Sequence, residues 1–105
     1  MSVAAKTATL TRDAGMLRIQ GDIDFANANA CCDEGLALLA QMSGDVLIDL
    51  AGLSSASSLS VAVLLRWARS VAVKGMTLRL SNVPEKCRAI VQVSGLTDVL
   101  PEINK

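Results

Sequence analysis

The chain has 105 residues, with ten basic and ten acidic side chains, no net charge and no histidine. This length fits one domain over residues 1–105, and because 51% of the residues are apolar but only 2% are aromatic, we expect an aliphatic core. The lack of net charge argues against a nucleic-acid-binding protein, and the lack of histidine removes the commonest general base and metal ligand.

Predicted strands and helices alternate along the chain. Alternating polar and apolar residues over 7–12 and 16–21, separated by a glycine-containing turn, predict an opening hairpin. The elements that follow are a helix from Asn27 to about Gly44, a strand over 45–50, a helix from Ser57 or Ser58 to Lys74, a strand over 76–81, and a helix from Pro84 to about Ser94. This β-β-α-β-α-β-α order predicts an α/β domain with a mixed sheet of about four strands and about three helices packed on one face.

Charge and cysteine content bear on partners and location. Residues 1–50 hold three basic and seven acidic groups, net −4, and residues 51–105 hold seven basic and three acidic groups, net +4. Such a polarised surface suits a protein partner as well as a phosphate. The three cysteines form no CxxC motif, which indicates reduced thiols in a cytosolic protein. The sequence has neither a secretory leader nor the roughly 20 apolar residues that cross a bilayer, so direct membrane insertion is not expected.

A serine-rich segment between a strand and a helix is the most informative part of the sequence. The apolar strand contains Asp49, a loop of small residues follows it, and Ser57 or Ser58 begins the next helix. Free backbone N–H groups and serine hydroxyls at a helix start suit a helix cap, an anion or a phosphorylated hydroxyl. From these residues alone, plain N-capping by a serine remains open beside a functional site.

This segment resembles the STAS domains of sulfate transporters and anti-sigma-factor antagonists. In that family a strand with Asp-Leu-x-Gly-Leu precedes a helix that begins Asp-Ser-Ser-Gly-Leu, and the first serine is the phosphorylation site. Placing Asp49 on the strand pattern puts Ser58 at the phosphorylated serine, while Ser57 replaces the aspartate and Leu59 replaces the second serine. The Gly-Asp-Ile-Asp segment at 21–24 resembles the family's Gly-Glu-Leu-Asp segment, which borders the same site.

Three other segments resemble one branch of that family, the cytoplasmic STAS subunit of a Gram-negative phospholipid-transporting ABC complex. They lie at 64–68, 80–89 and 94–101. The resemblance implies a non-enzymatic accessory subunit that binds and supports the ATPase subunit, and through it the permease, in maintaining outer-membrane lipid asymmetry. It also implies a location on the inner face of the inner membrane through the transporter, with Ser58 as a functional hydroxyl. The alternative is an anti-sigma-factor antagonist switched by phosphorylation of Ser58.

The long helix has apolar residues on two opposite faces at 100° per residue. The face predicted to join the core comprises Val61, Leu64, Leu65, Ala68, Val71 and Ala72. The opposite face comprises Leu59, Val63, Arg66, Trp67, Ser70 and Val73. Because Arg66 beside Trp67 is costly to bury, and because Trp and Arg are enriched at interface hot spots, the sequence predicts partner binding here. The predicted binding residues are Ser57, Ser58, Leu59, Val63, Arg66, Trp67 and Ser70; the alternative is that the last helix or the tail covers this face as core.

Catalysis and metal binding have little support in the sequence. Cys31 or Cys32 as a nucleophile would lack an activating histidine. Asp22, Asp24 and Asp49 could hold a divalent cation if they converged, although such residues more often cap turns. No glycine-rich nucleotide-binding motif is present. We therefore predict no catalytic residue, no metal and no cofactor.

Overall fold

The computed structural model describes residues 8–54 and 57–103. Its elements are β1 (Thr9–Asp13), β2 (Met16–Gly21), α1 (Ala28–Ala40), β3 (Val46–Leu53), α2 (Ser58–Val73), β4 (Leu78–Ser81) and α3 (Glu85–Val93). The predicted order of strands and helices is confirmed. The largest differences in bounds are that α1 ends at Ala40 instead of near Gly44, and that β3 continues to Leu53.

The four strands form one mixed sheet in the order β1-β2-β3-β4. β1 and β2 are antiparallel, with Asp13 opposite Met16, whereas β2–β3 and β3–β4 are parallel. Ala14 and Gly15 connect the hairpin with φ values of 45° and 87°. Two central residues with positive φ form the tight turn whose twist matches that of the flanking strands, and this is why a glycine stands here.

Side chains of the strands alternate between a buried face and an open face. The buried strand residues are Leu10, Leu17, Ile19, Val46, Ile48, Leu50, Leu78 and Leu80, together with Leu53 at the end of β3. The helices cover this face, as predicted. On the open face, Asp49 accepts hydrogen bonds from Arg18 Nε at 3.3 Å and from Asn82 Nδ2 at 2.9 Å. The Asn82 hydrogen bond, supported by the Ala51 N–H and by Arg18, lowers the pKa of the Asp49 carboxyl.

α2 packs against α1 and α3 as well as against the sheet, so more than one of its faces is buried. Trp67 and Val63 are buried, and the Trp67 indole Nε1–H donates a hydrogen bond to the Cys32 carbonyl of α1 at 3.0 Å. The prediction that these two side chains lie on an exposed face is therefore wrong. It failed because the covering element is α1, and a helix packed on several sides is apolar on several sides.

The C-terminal segment covers the outer edge of β4. Leu80 N–H donates to Pro101 O, and Ile103 N–H donates to Leu80 O, both at 2.8 Å. Arg88 on α3 forms an ion pair with Glu102, with Nε to Oε1 at 2.9 Å. The edge of β4 is thereby paired instead of remaining open.

Candidate functional site

The predicted serine segment lies where the parallel strands β2 and β3 end. The loop after β2 and the loop after β3 meet there, since Ser54 N–H donates to Gly21 O at 2.8 Å. In α/β sheets this carboxyl edge is the usual place for binding sites, because the connecting loops converge there. Ser55 and Ala56, which belong to the predicted serine-rich turn, lie outside the described residues.

Ser57 and Ser58 have different roles in the structure. Ser57 has extended backbone angles and occupies the N-cap position of α2, where its hydroxyl accepts a hydrogen bond from Ser60 N–H at 3.3 Å. Ser58 is the first residue of α2 and is exposed. The capping requirement is thus met by Ser57, which leaves the Ser58 hydroxyl available to a partner or to a kinase.

The loop between β2 and α1 is held by its own polar side chains. Asp24 Oδ1 accepts hydrogen bonds from the N–H groups of Ala26 and Asn27 at 2.9 and 3.0 Å. Asn27 in turn accepts from Asp24 N–H and donates to Asp22 O. Asn27, where the predicted helix begins, occupies the N-cap position of α1 but makes no side-chain cap bond. The loop holds Phe25, whose side chain is 91% exposed.

Two shallow depressions meet at Ser58. One has a volume of about 520 Å³ and is lined by Asp22, Ile23, Asp24, Phe25, Ser57, Ser58 and Leu59. The other has a volume of about 340 Å³ and is lined by Ser58, Ala89, Ile90, Val93 and Ser94. Ser58 therefore lies between the β2–α1 loop and α3, on a surface that is largely apolar.

The structure brings together only part of the predicted partner-binding set. Ser57, Ser58 and Leu59 line the depression beside Phe25. Arg66 is exposed and Ser70 is half-buried further along α2, and their binding role stays a prediction. Sequence reasoning missed Phe25 and Val93. The signal for Phe25 was its place directly after the Gly-Asp-Ile-Asp segment, whereas Val93 carries no local signal.

The burial of the three cysteines suits a packing role better than a role as a catalytic nucleophile. Burial raises the pKa of Cys31 to about 11, and the charge of Glu34 contributes in the same direction. Burial also raises the pKa of Cys87, which lies beneath the start of α2 and hydrogen-bonds with the backbone of Ser57. All three cysteines are free and buried. Thiols with raised pKa values are weak nucleophiles at neutral pH.

The three aspartates considered as metal ligands do not form a common site. Asp22 and Asp24 line the depression beside Phe25, while Asp49 is bound to Arg18 and Asn82 on the open face of the sheet. Within residues 8–54 and 57–103, no group of three or more Cys, Asp or Glu residues could hold a metal ion. Over the same residues, no helix combines the length and the hydropathy needed to cross a membrane.

Solved structures share this fold. An anti-sigma factor antagonist from Mycobacterium paratuberculosis is 19% identical, with a TM-score of 0.72 over 96% of this chain and 87% of that chain. The anti-sigma factor antagonist SpoIIAA in its unphosphorylated form is 18% identical, with a TM-score of 0.70 over 93% of this chain and 89% of that one. These likenesses show the fold, which is the one that anti-sigma factor antagonists have.

Sequence similarity identifies the family. Residues 7–102 match the family model described as "Mlab, STAS domain", and the chain belongs to this family. A chain of the Acinetobacter MlaFEDB complex in an ATP-bound conformation is 36% identical, with a TM-score of 0.74 over 84% of this chain and 93% of that chain. No curated protein is similar enough in sequence to count as a match.

Proposed function

We propose that this protein is a non-enzymatic accessory subunit of a phospholipid-transporting ABC complex, and that it binds the ATPase subunit through the surface around Ser58. The observation that carries the proposal is the 36% identity to a chain of the Acinetobacter MlaFEDB complex. The two anti-sigma factor antagonists described above are less similar, at 18% and 19% identity. The subunit would reach the inner face of the inner membrane through the transporter.

The geometry around Ser58 supports a binding role over a catalytic one. The exposed hydroxyl stands at the start of α2 between two apolar depressions, while the neighbouring Cys87 thiol is buried and has a raised pKa. A subunit of this kind acts by contacts that differ between two states of its partner. Binding here would favour the assembled, active arrangement of the ATPase.

Capture from host membranes tests the proposal. Tagged wild-type chain, Ser58→Glu and the control Ser43→Glu would be incubated with detergent-solubilised membranes, and the bound proteins identified by mass spectrometry. We expect wild type and Ser43→Glu to recover an ABC ATPase and its permease, and Ser58→Glu to recover neither. Glutamate at a helix start is compatible with the helix dipole, and Ser43 is exposed in the loop after α1, so both variants should fold.

A phosphorylation switch is the second candidate function, and the exposed position of Ser58 favours it. A phosphate on Ser58 would add about −1.5 to −2 charge to the surface. Recovery of a serine kinase or an anti-sigma factor without any transporter subunit, together with phosphoserine at Ser58 in protein from the host, would replace our proposal with this one.

A further inference from the structure

Two strongly exposed apolar side chains stand on either side of Ser58. Phe25 is 91% exposed and Val93 is 88% exposed, and each lines one of the two depressions that share Ser58. The half-buried Leu59 lines the same depression as Phe25, and the half-buried Ile90 lines the same depression as Val93. Apolar side chains grouped in this way, unlike single exposed ones, mark a surface that another molecule covers.

The chain holds Phe25 outward before any partner binds. The Asp24 carboxylate accepts hydrogen bonds from the backbone N–H groups of Ala26 and Asn27, the two residues after Phe25. The Asn27 side chain donates a further hydrogen bond to Asp22 O. A loop fixed in this way loses little conformational freedom when its side chain is buried by a partner. Phe25 is therefore preorganised as an anchor, since the loop is ordered around it while its ring stays uncovered.

The charge beside Phe25 indicates the chemistry of the partner. Asp22 and Asp24 line the same depression as Phe25. Among the described residues, the ion pairs are Arg18–Asp49 and Arg88–Glu102, so neither of these two carboxylates has a basic partner there. Covering them without a cation would cost free energy, because a buried charge needs compensation. The same two charges would be repelled by the anionic inner leaflet of a membrane, which favours a protein partner.

We infer that Phe25 and Val93 are the apolar anchors of the ATPase-binding surface, and that the ATPase supplies an apolar socket for Phe25 with an arginine or lysine facing Asp22 and Asp24. The inference rests on the proposed function and adds to it the binding determinants and the surface chemistry of the partner. Ser58 lies between the two anchors, so a charge introduced there would fall in the middle of the covered surface.

Alanine substitutions test the anchors. Affinity for the purified ATPase subunit that the wild-type chain captures would be measured for wild type, Phe25→Ala, Val93→Ala and the control Val73→Ala. Val73 is 87% exposed and stands at the other end of α2, so it matches the anchors in exposure but not in position. We expect binding about 30-fold weaker for Phe25→Ala, about tenfold weaker for Val93→Ala, and within about twofold of wild type for Val73→Ala.

A charge-neutralising pair tests the cation. Asp22→Asn would be compared with Asp45→Asn, an exposed aspartate in the loop before β3 at the opposite edge of the sheet. At low ionic strength, roughly 0.01 M, we expect Asp22→Asn to slow association about fivefold and Asp45→Asn to leave it unchanged. The difference should shrink as salt is added, because screening weakens the attraction that Asp22 provides.

The outcomes separate the two proposals. If the wild-type chain binds no ATPase, the proposed function fails, and this inference fails with it. If the wild-type chain binds but Phe25→Ala and Val93→Ala bind as tightly as Val73→Ala, only the anchor assignment is overturned. Self-association of the purified chain that Phe25→Ala abolishes would assign the surface to a second copy and would also overturn the inference. Unchanged thermal unfolding of both alanine variants is the check that lost binding is not lost folding.

Discussion

Gly35 makes room for the indole of Trp67. It lies on α1, where the Trp67 ring packs directly against the helix backbone, and a Cβ atom at this position would overlap the ring. The close approach lets the Trp67 Nε1–H reach the Cys32 carbonyl at 3.0 Å. The largest buried side chain thereby satisfies its one polar atom and joins α1 to α2.

Gly35→Ala should destabilise the protein even though alanine is the better helix former. Helix propensity alone predicts a gain of about 1 kcal/mol, whereas overpacking against Trp67 is expected to cost more, for a net loss of about 2 kcal/mol in the free energy of unfolding. Urea denaturation measures the change. Ala37→Gly, an exposed position on the same helix, serves as the control and should lose about 1 kcal/mol through propensity alone. A more stable Gly35→Ala protein would contradict the packing described here.

The adjacent serines Ser57 and Ser58 have different roles at the start of α2. Ser57 caps the helix by accepting the Ser60 N–H, and Ser58 exposes its hydroxyl beside Phe25. The sequence left open which of the two caps the helix, because both are serines and serine is a favoured cap residue. The backbone decides it, since Ser57 alone has the extended angles that turn its hydroxyl toward the N–H groups of the first turn.

Ser57→Ala and Ser58→Ala should therefore differ in their effect on stability. Ser57→Ala removes the cap and is expected to lower the free energy of unfolding by about 1 kcal/mol. Ser58→Ala is expected to change it by less than about 0.5 kcal/mol, because the side chain is exposed. Thermal or urea unfolding of the two variants side by side gives the comparison. Equal destabilisation by both would mean that the two hydroxyls share the capping role.

The bounds of α2 could be predicted from the sequence, but the elements that pack against its two apolar faces could not. Its start at a serine cap and its end before Lys74-Gly75 are local signals, and the structure reproduces them. The same sequence could not say which of its two apolar faces another helix would cover. Lys74 makes a contact that only the tertiary structure defines. Its amino group donates hydrogen bonds to Leu39 O at 3.3 Å and to Ala40 O at 3.4 Å, at the end of α1.

Two carboxyls and one thiol with shifted pKa values make the stability of the whole molecule depend on pH. The Asn82 and Arg18 contacts lower the pKa of Asp49, and the Arg88 hydrogen bond lowers the pKa of Glu102. A lowered pKa means that the native state favours the ionised carboxyl, so this contribution to stability is present above the ordinary pKa values of 3.8 and 4.5 and is lost as the pH falls below them. Burial raises the pKa of Cys31 from 9.0 to about 11, so stability also falls as the pH rises through that range.

The free energy of unfolding should accordingly be flat from about pH 5 to 8, where the chain has no histidine to titrate, and fall on either side. Asp49→Asn should lower the free energy of unfolding at neutral pH and make that free energy less dependent on pH below about pH 4. Asp45→Asn, which removes an exposed carboxylate outside these contacts, is the control for the loss of one negative charge. Urea denaturation over a series of pH values measures both. An unchanged acid limb in Asp49→Asn would mean that the Asp49 contacts on the open face contribute nothing.

The sequence by itself determined the element order and the approximate bounds of α2. These follow from local physics, because hydrophobic periodicity, turn glycines and cap residues act over a few neighbouring positions. The resemblance to STAS domains implies that the Gly-Asp-Ile-Asp and serine segments border one site, and the structure brings them together.

Only the tertiary structure decided which apolar side chains are surface. Trp67 looked like an interface residue beside Arg66, yet α1 covers it because Gly35 leaves space for its ring. Phe25 and Val93 are far apart in the sequence; Phe25 directly follows the Gly-Asp-Ile-Asp segment, whereas no local signal distinguishes Val93 from a core residue. They flank Ser58 only because the parallel strands bring the β2–α1 loop and α2 to one edge of the sheet, with α3 packed alongside. Exposure depends on which elements pack together, and that is a property of long-range contacts that periodicity cannot encode.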